Sequence, residues 1–193
     1  MTNPEASLPQ REELAFAVQM NEVCTINYDP SVSRQAVGYS ALYGCIAVAA
    51  LFRGAGSYDA SAILSHFPPS GNLNKSAANI AQAVSSQLAQ GRKPEHVVIM
   101  APGEWTKNET TGYWNETPYA TVEPDIEGYK QVLGMADVTN MKVSAYIPDE
   151  LALQGLSPDP YTGTILAEFY ESSEGMPKLR VIVEGEAVPM TAK

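Results

Sequence analysis

Basic charge, histidine, cysteine and long apolar runs are all scarce in this sequence, and each scarcity excludes something. Its 193 residues carry twelve Lys and Arg against 22 Asp and Glu, a formal net charge of −10. Binding a nucleic-acid backbone means neutralising phosphates with basic side chains, and no basic run exists to do it. An anionic membrane surface is disfavoured for the same reason. No apolar stretch reaches the roughly 20 residues of a membrane-spanning helix. The longest, Ala41 to Phe52, falls well short, so no membrane insertion is expected. Two cysteines, Cys24 and Cys45, are too few for a disulfide framework and read as free thiols. Two histidines, His66 and His96, do not cluster with other ligands at zinc spacing, so no metal site is expected. Walker and dinucleotide glycine patterns are missing, and no cofactor is expected.

What is present is ordinary globular composition, 45% hydrophobic and 18% charged. The length suits a polar, flexible arm over residues 1–11 and a single domain over 12–193. The polar N-terminal stretch lacks the apolar core of a signal peptide. The expected location is cytoplasmic, or outside the cell by a route without a cleaved signal, as an effector. Alternation predicts short strands at 14–18 and 23–28, joined by a turn at Asn21-Glu22, with a loop over 29–38. The apolar run after Gly44 does not alternate, as in a strand buried on both faces. A glycine turn at 54–56 then leads into a returning strand, 60–67, stopped by Pro68-Pro69.

Ala77, Ile80, Ala81, Val84 and Leu88 form one apolar stripe of a helix running from about Asn74 to Gln90, with Gly91 as its C′ residue. A strand follows at 96–100. Residues 101–118 hold both tryptophans and no clear period, which predicts a long loop or an irregular hairpin. A second helix over 125–135, a strand over 141–147 and a hairpin of 164–170 with 179–184 complete the reading. The fold class is α+β: layered sheets of about eight strands with one main amphipathic helix packed on them.

One pair of side chains stands out chemically. If 45–52 and 60–67 pair as an antiparallel hairpin, residue 45 opposes roughly residue 67, which brings His66 beside Cys45. A neighbouring imidazolium lowers a thiol pKa, and the thiolate is the nucleophile. Backbone N–H groups at Gly44 and Cys45 are candidates for holding an oxyanion, and Gly44 allows close approach of a substrate. Cys24 and His96 read as structural.

The order Tyr43-Gly44-Cys45, apolar strand, glycine turn, Leu64-Ser65-His66-Phe67-Pro68-Pro69, Asn74-Lys75 loop, alanine-rich helix, strand and Gly103 resembles the chemotaxis receptor glutamine deamidases, the CheD family. The resemblance covers about residues 38–103. The catalytic core of the cytotoxic necrotizing factor toxins is similar in its Cys–His arrangement. The resemblance implies a CheD-like fold and a cysteine-dependent protein glutamine deamidase, with Cys45 and His66 catalytic. It puts Ser40 nearest the place where the family carries a threonine. Tyr43, Gly44, Asn72 and Trp105 are the candidate substrate-binding residues. The implied partner is a protein with an accessible glutamine. A small cysteine hydrolase or transglutaminase is chemically close. A non-enzymatic adaptor, binding through Trp105, Tyr113, Trp114 and Tyr119, is the alternative from another class.

Overall fold

A computed structural model describes residues 13–32, 34–39, 42, 44–56, 58–69, 73–135, 138, 141–148, 163–171, 177–184 and 186–188. The expected arm at residues 1–11 and the start of the domain at residue 12 lie outside them. The described residues form eleven strands and two α-helices in an α+β arrangement. That exceeds the eight or so strands anticipated, for reasons visible in the pairing, while the second helix forms over Glu123–Met135, where one was expected over 125–135.

One sheet contains β1 (Glu13–Ala17), β3 (Arg34–Tyr39), β9 (Ile165–Glu171), β10 (Pro177–Val183) and β11 (Glu186–Ala187), in that order. The other runs β2 (Glu22–Asn27), β5 (Ala60–Phe67), β4 (Ile46–Arg53), β6 (Lys93–Lys107) and β7 (Trp114–Pro118), with β8 (Met141–Tyr146) also on β6. Successive strands β1 and β2, expected to be joined by a simple turn, belong to different sheets. The stretch 29–38, expected as loop, contains β3. It is held by parallel pairing to β1 and antiparallel pairing to β9, some 130 residues away, and local pattern carries no trace of such partners.

The packing has three layers. Ala47, Ala49 and Leu51 of β4 face the first sheet, meeting Ile165, Ala167, Phe169 and Val181. Ile46, Val48, Ala50 and Phe52 face the helices α1 (Leu73–Ala89) and α2 (Glu123–Met135) through Ile80, Val84, Ile126, Tyr129 and Leu133. Strand β4 is therefore central and covered on both faces, which is why its sequence is apolar without alternation. Burying each large side chain there contributes about 1.5–3 kcal/mol. Helix α1 matches the predicted stripe, and Gly91 after it takes the left-handed conformation with φ +76°. Helix α2 forms despite Gly128 and Gly134 because Ile126, Tyr129 and Leu133 share one buried face.

Of the two alternatives for 101–118, a long loop or an irregular hairpin, the hairpin is the one that forms. Strand β6 is fifteen residues long. Its first part lies between β4 and β8, and its last part pairs with β7 from Gly103↔Pro118 to Lys107↔Trp114. Gly103 sits at the root of this arm, where a Cβ would come within 2.3 Å of the Thr117 carbonyl oxygen and 2.9 Å of the Ala145 Cβ. A Gly103→Ala substitution is expected to lower stability by about 1–3 kcal/mol, because backbone must shift to admit the methyl group. Urea unfolding monitored by circular dichroism measures this, and an unchanged midpoint would contradict the tight junction.

Candidate active site

The site begins with a register. Strand β4 pairs with β5 as Ile46↔Phe67 and Ala47↔His66. Cys45 immediately precedes Ile46, one residue off the expected pairing, so the position it faces is that of Pro68 rather than 67. The consequence is favourable. Side chains alternate along a strand, so Cys45 shares a face with Ala47, and Ala47 is directly opposite His66. Cys45 and His66 are therefore diagonal neighbours on one face, at one end of the second sheet. Continuing the same row, Glu22 of β2 lies directly opposite His66 on its other side, and Met100 lies opposite Ala47. The Glu22 carboxylate accepts the Gln19 backbone N–H at 3.2 Å, closing the turn before β2.

Both reactive groups are sheltered. Cys45 retains 9% of its accessible surface and His66 retains 1%. Burial disfavours charge on either group, so it pushes the Cys45 thiol above its ordinary value and the His66 imidazole below its own. In place of the expected thiolate–imidazolium pair, burial favours a neutral thiol and a neutral imidazole. Such an imidazole is in the unprotonated form that a general base needs, and burial disfavours the charge it would take on with a proton.

The backbone leading to Cys45 is held by a residue that sequence inspection missed. Tyr146 lies in the β8 position opposite Pro102 of β6, and the β4–β6 pairing carries Cys45 to the same row. The Gly44 N–H donates to the Tyr146 hydroxyl at 2.8 Å, and that hydroxyl donates to the Cys45 carbonyl at 2.8 Å. The phenol is fully buried, and burial, foremost, pushes its pKa well up, so it stays protonated and keeps both bonds. The Cys45 N–H donates to the Leu42 carbonyl at 2.7 Å. Both N–H groups proposed from sequence as an oxyanion hole are therefore already committed within the fold. Gly44 itself has φ +95°, a conformation that favours glycine, and among the described residues nothing stands within 4 Å of where its Cβ would be. The backbone there is open to close approach. A second phenol, Tyr129 of α2, hydrogen-bonds Ser76 of α1 at 3.0 Å. Burial chiefly raises its pKa, with smaller contributions from Asp125 and Cys45.

Of the other sequence-predicted residues, Ser40, Tyr43 and Asn72 lie outside the described residues. Trp105 does not join Cys45 and His66 on the sheet. It stands on the arm of β6 and β7, 56% exposed. Cys24 is a free, partly buried cysteine on β2, with its thiol pushed up by burial and then by Glu22. His96 is buried opposite Leu51, well along the sheet from Cys45. Among the described residues no cluster of three His, Cys, Asp or Glu side chains is placed to hold a metal ion. No described helix is long and apolar enough to cross a membrane. Tyr146 could not have been found from local pattern, because the parallel β6–β8 pairing that delivers it joins segments far apart in the chain.

Two outcomes are expected from this geometry. Tyr146→Phe removes both bridging bonds and leaves a part-buried N–H and a buried carbonyl without this partner, costing about 1–3 kcal/mol in denaturant unfolding. An unchanged stability would contradict the bridge. His66 and His96 both have pKa values held below the ordinary 6.5, in each case first by burial. The unfolded chain then takes up protons more readily than the folded one, so the contribution of these residues is complete above pH 6.5 and is lost as the pH falls through the depressed folded values. Stability measured from about pH 8 to about pH 5 is expected to fall below that point, and less steeply in His96→Gln. Identical slopes for the variant and the parent would contradict the burial argument.

No known protein-family profile matches the chain, and no curated protein matches it either. Among solved structures it is similar to the Bacillus licheniformis hypothetical protein YfiH, at 15% sequence identity and a TM-score of 0.36. The match takes in 63% of this chain and 49% of that one, so it spans about half the length of that protein. A similarity at that level carries neither fold detail nor activity from one protein to the other.

Proposed function

We propose that this protein is a cysteine-dependent protein glutamine deamidase of CheD-like type, converting a glutamine on a partner protein to glutamate with release of ammonia. The observation that supports the reading is the β4–β5 register, which, continued by one residue to Cys45, gives it and His66 diagonal positions on one sheet face. The order of elements over about residues 38–103, which resembles the deamidase families, supports it.

In this mechanism the Cys45 Sγ attacks the carbon of the glutamine carboxamide while neutral His66 accepts the thiol proton. The C–N bond then breaks, and His66 returns the proton to the departing nitrogen, which leaves as ammonia. Water adds to the resulting thioester as His66 takes its proton. Breaking the C–S bond yields the glutamate carboxyl and restores the thiol. With an amine in place of water the same thioester gives transglutamination. Since the Gly44 and Cys45 N–H groups are engaged, no oxyanion role is assigned to them.

A second reading, a binding module without catalysis on the same fold, is favoured by one observation. The pair is almost sealed, whereas Trp105, Tyr113 and Trp114 are exposed.

Ammonia release and the mass change of a glutamine-containing peptide, carbobenzoxy-glutaminyl-glycine, and of unfolded casein distinguish the two. Deamidation is expected, and Cys45→Ser and His66→Ala are each expected to reduce kcat/KM by about 100-fold or more. The acidic limb of kcat/KM is expected below the ordinary imidazole value of 6.5, because burial lowers His66. Unchanged turnover in either variant would eliminate the mechanism, and the absence of ammonia with every substrate would favour the binding module.

A further inference from the structure

The arm formed by the end of β6 and by β7 has a direction as well as a composition. Ala47 of β4 pairs with Met100, so the start of β4 runs level with Ala101 and Pro102 of β6. Residues 103–107 continue past that point and turn back as β7. The arm thus leaves the second sheet at the end that carries Cys45 and His66. Its ladder sorts its side chains. Trp105 is paired with Glu116, and Lys107 with Trp114, so all four lie on one face by alternation. Glu104, Thr106, Asn115 and Thr117 take the other face, where the Thr106 and Thr117 hydroxyls hydrogen-bond at 2.5 Å.

The first face is costly to leave in water. Trp105 is 56% exposed, Trp114 62%, and Tyr113 at the tip 75%. Among the described residues these three stand together, whereas the other exposed large apolar side chains are scattered over β1, loops and the end of α2. A concentration of this kind marks a contact surface. The charges on the arm select the contact. The arm carries three carboxylates, Glu104, Glu109 and Glu116, and one basic group, Lys107, on a chain whose net charge is −10, and Glu116 shares the face of Trp105 and Trp114. An indole with a carboxylate directly across the ladder suits a guanidinium or ammonium group, held by the ring face and by the carboxylate together.

We propose that the 103–118 arm docks a basic segment of a protein partner, taking its arginine or lysine side chains on Trp105, Glu116 and Trp114. Resting on the deamidase reading, the partner is the substrate, and its target glutamine lies near basic residues that the arm holds while the carboxamide reaches Cys45. Arginine suits the site better than lysine, since its planar group stacks on an indole while presenting N–H donors to a carboxylate.

The test exploits the fact that the chain has two tryptophans, both on the arm, so intrinsic fluorescence reports on it alone. The full-length protein is titrated with an octapeptide of alternating arginine and glycine, and with its glutamate–glycine counterpart. The arginine peptide is expected to change the emission saturably, with affinity falling as salt rises. Glu116→Gln is expected to weaken it about threefold or more. Equal responses to the two peptides, or none to either, would overturn the proposal, as would a response to neutral phosphatidylcholine vesicles that exceeds the peptide response. A second measurement separates this failure from failure of the deamidase reading. Glutamine peptides flanked by arginine or by glutamate are compared for ammonia release in the wild type and in Trp105→Ala/Trp114→Ala, whose exposed sites spare the core. The arginine-flanked peptide is expected to be preferred, with the preference lost in the double variant through KM rather than kcat. Equal rates for the two peptides in the wild type would overturn the docking role with the chemistry intact, whereas no ammonia from either would end the deamidase reading and leave the fluorescence titration to decide the arm.

Discussion

The pairing of Ala47 with His66 is the constraint on which the candidate site depends. Strand side chains alternate with period two, so a slip of one residue would send His66 to the helix side and leave Cys45 facing the other sheet. The register is secured because both faces of β4 are buried. Ala47, Ala49 and Leu51 fit the sheet–sheet interior, whereas Ile46, Val48, Ala50 and Phe52 fit the helix side, and a slip of β4 would turn each set toward the wrong layer. The same central strand is paired on its other edge to β6, which delivers Pro102, the base of the arm and, through β8, Tyr146 to the row of Cys45.

The electrostatic character of the pair follows from that placement. A thiol and an imidazole at the end of an apolar interior are both kept neutral, since burial penalises charge on either. A thiolate activated in advance would need a nearby exposed cation or a helix N-terminus. Proton transfer to His66 during attack needs only proximity and a neutral base. The Tyr146 hydroxyl fixes the Gly44–Cys45 backbone by accepting from one residue and donating to the next, and its own raised pKa preserves that double role.

Much of this was legible in the sequence, for identifiable reasons. The 60–67 strand, the α1 stripe, the Gly91 end and the β9–β10 hairpin depend on local period and turn residues, and they stand where the pattern puts them. The antiparallel pairing of the strands that follow Cys45 and end at His66 was legible because a short glycine turn joins them. What escaped was non-local. Strand β3 exists through partners at opposite ends of the chain, and Tyr146 is brought to Gly44, 102 residues away, by a parallel pairing of β8 with β6. The arm was visible only as an aperiodic stretch because its two strands are solvated, so no buried face imposes alternation. A thiol lowered by a neighbouring imidazolium was expected, whereas burial raises the thiol and lowers the imidazole, and burial at this depth has no local signal in the sequence.

The central claim, that Cys45 and His66 act as one chemical unit, is tested most directly by the alkylation rate of Cys45. The rate is followed by peptide mass spectrometry in a Cys24→Ser background from about pH 5 to about pH 9, with and without His66→Ala. The account predicts that His66 accelerates alkylation of Cys45 about tenfold or more near neutral pH, with an inflection below 6.5 that vanishes in the variant. Superimposable profiles would show that the imidazole does not assist the thiol, and would contradict the account.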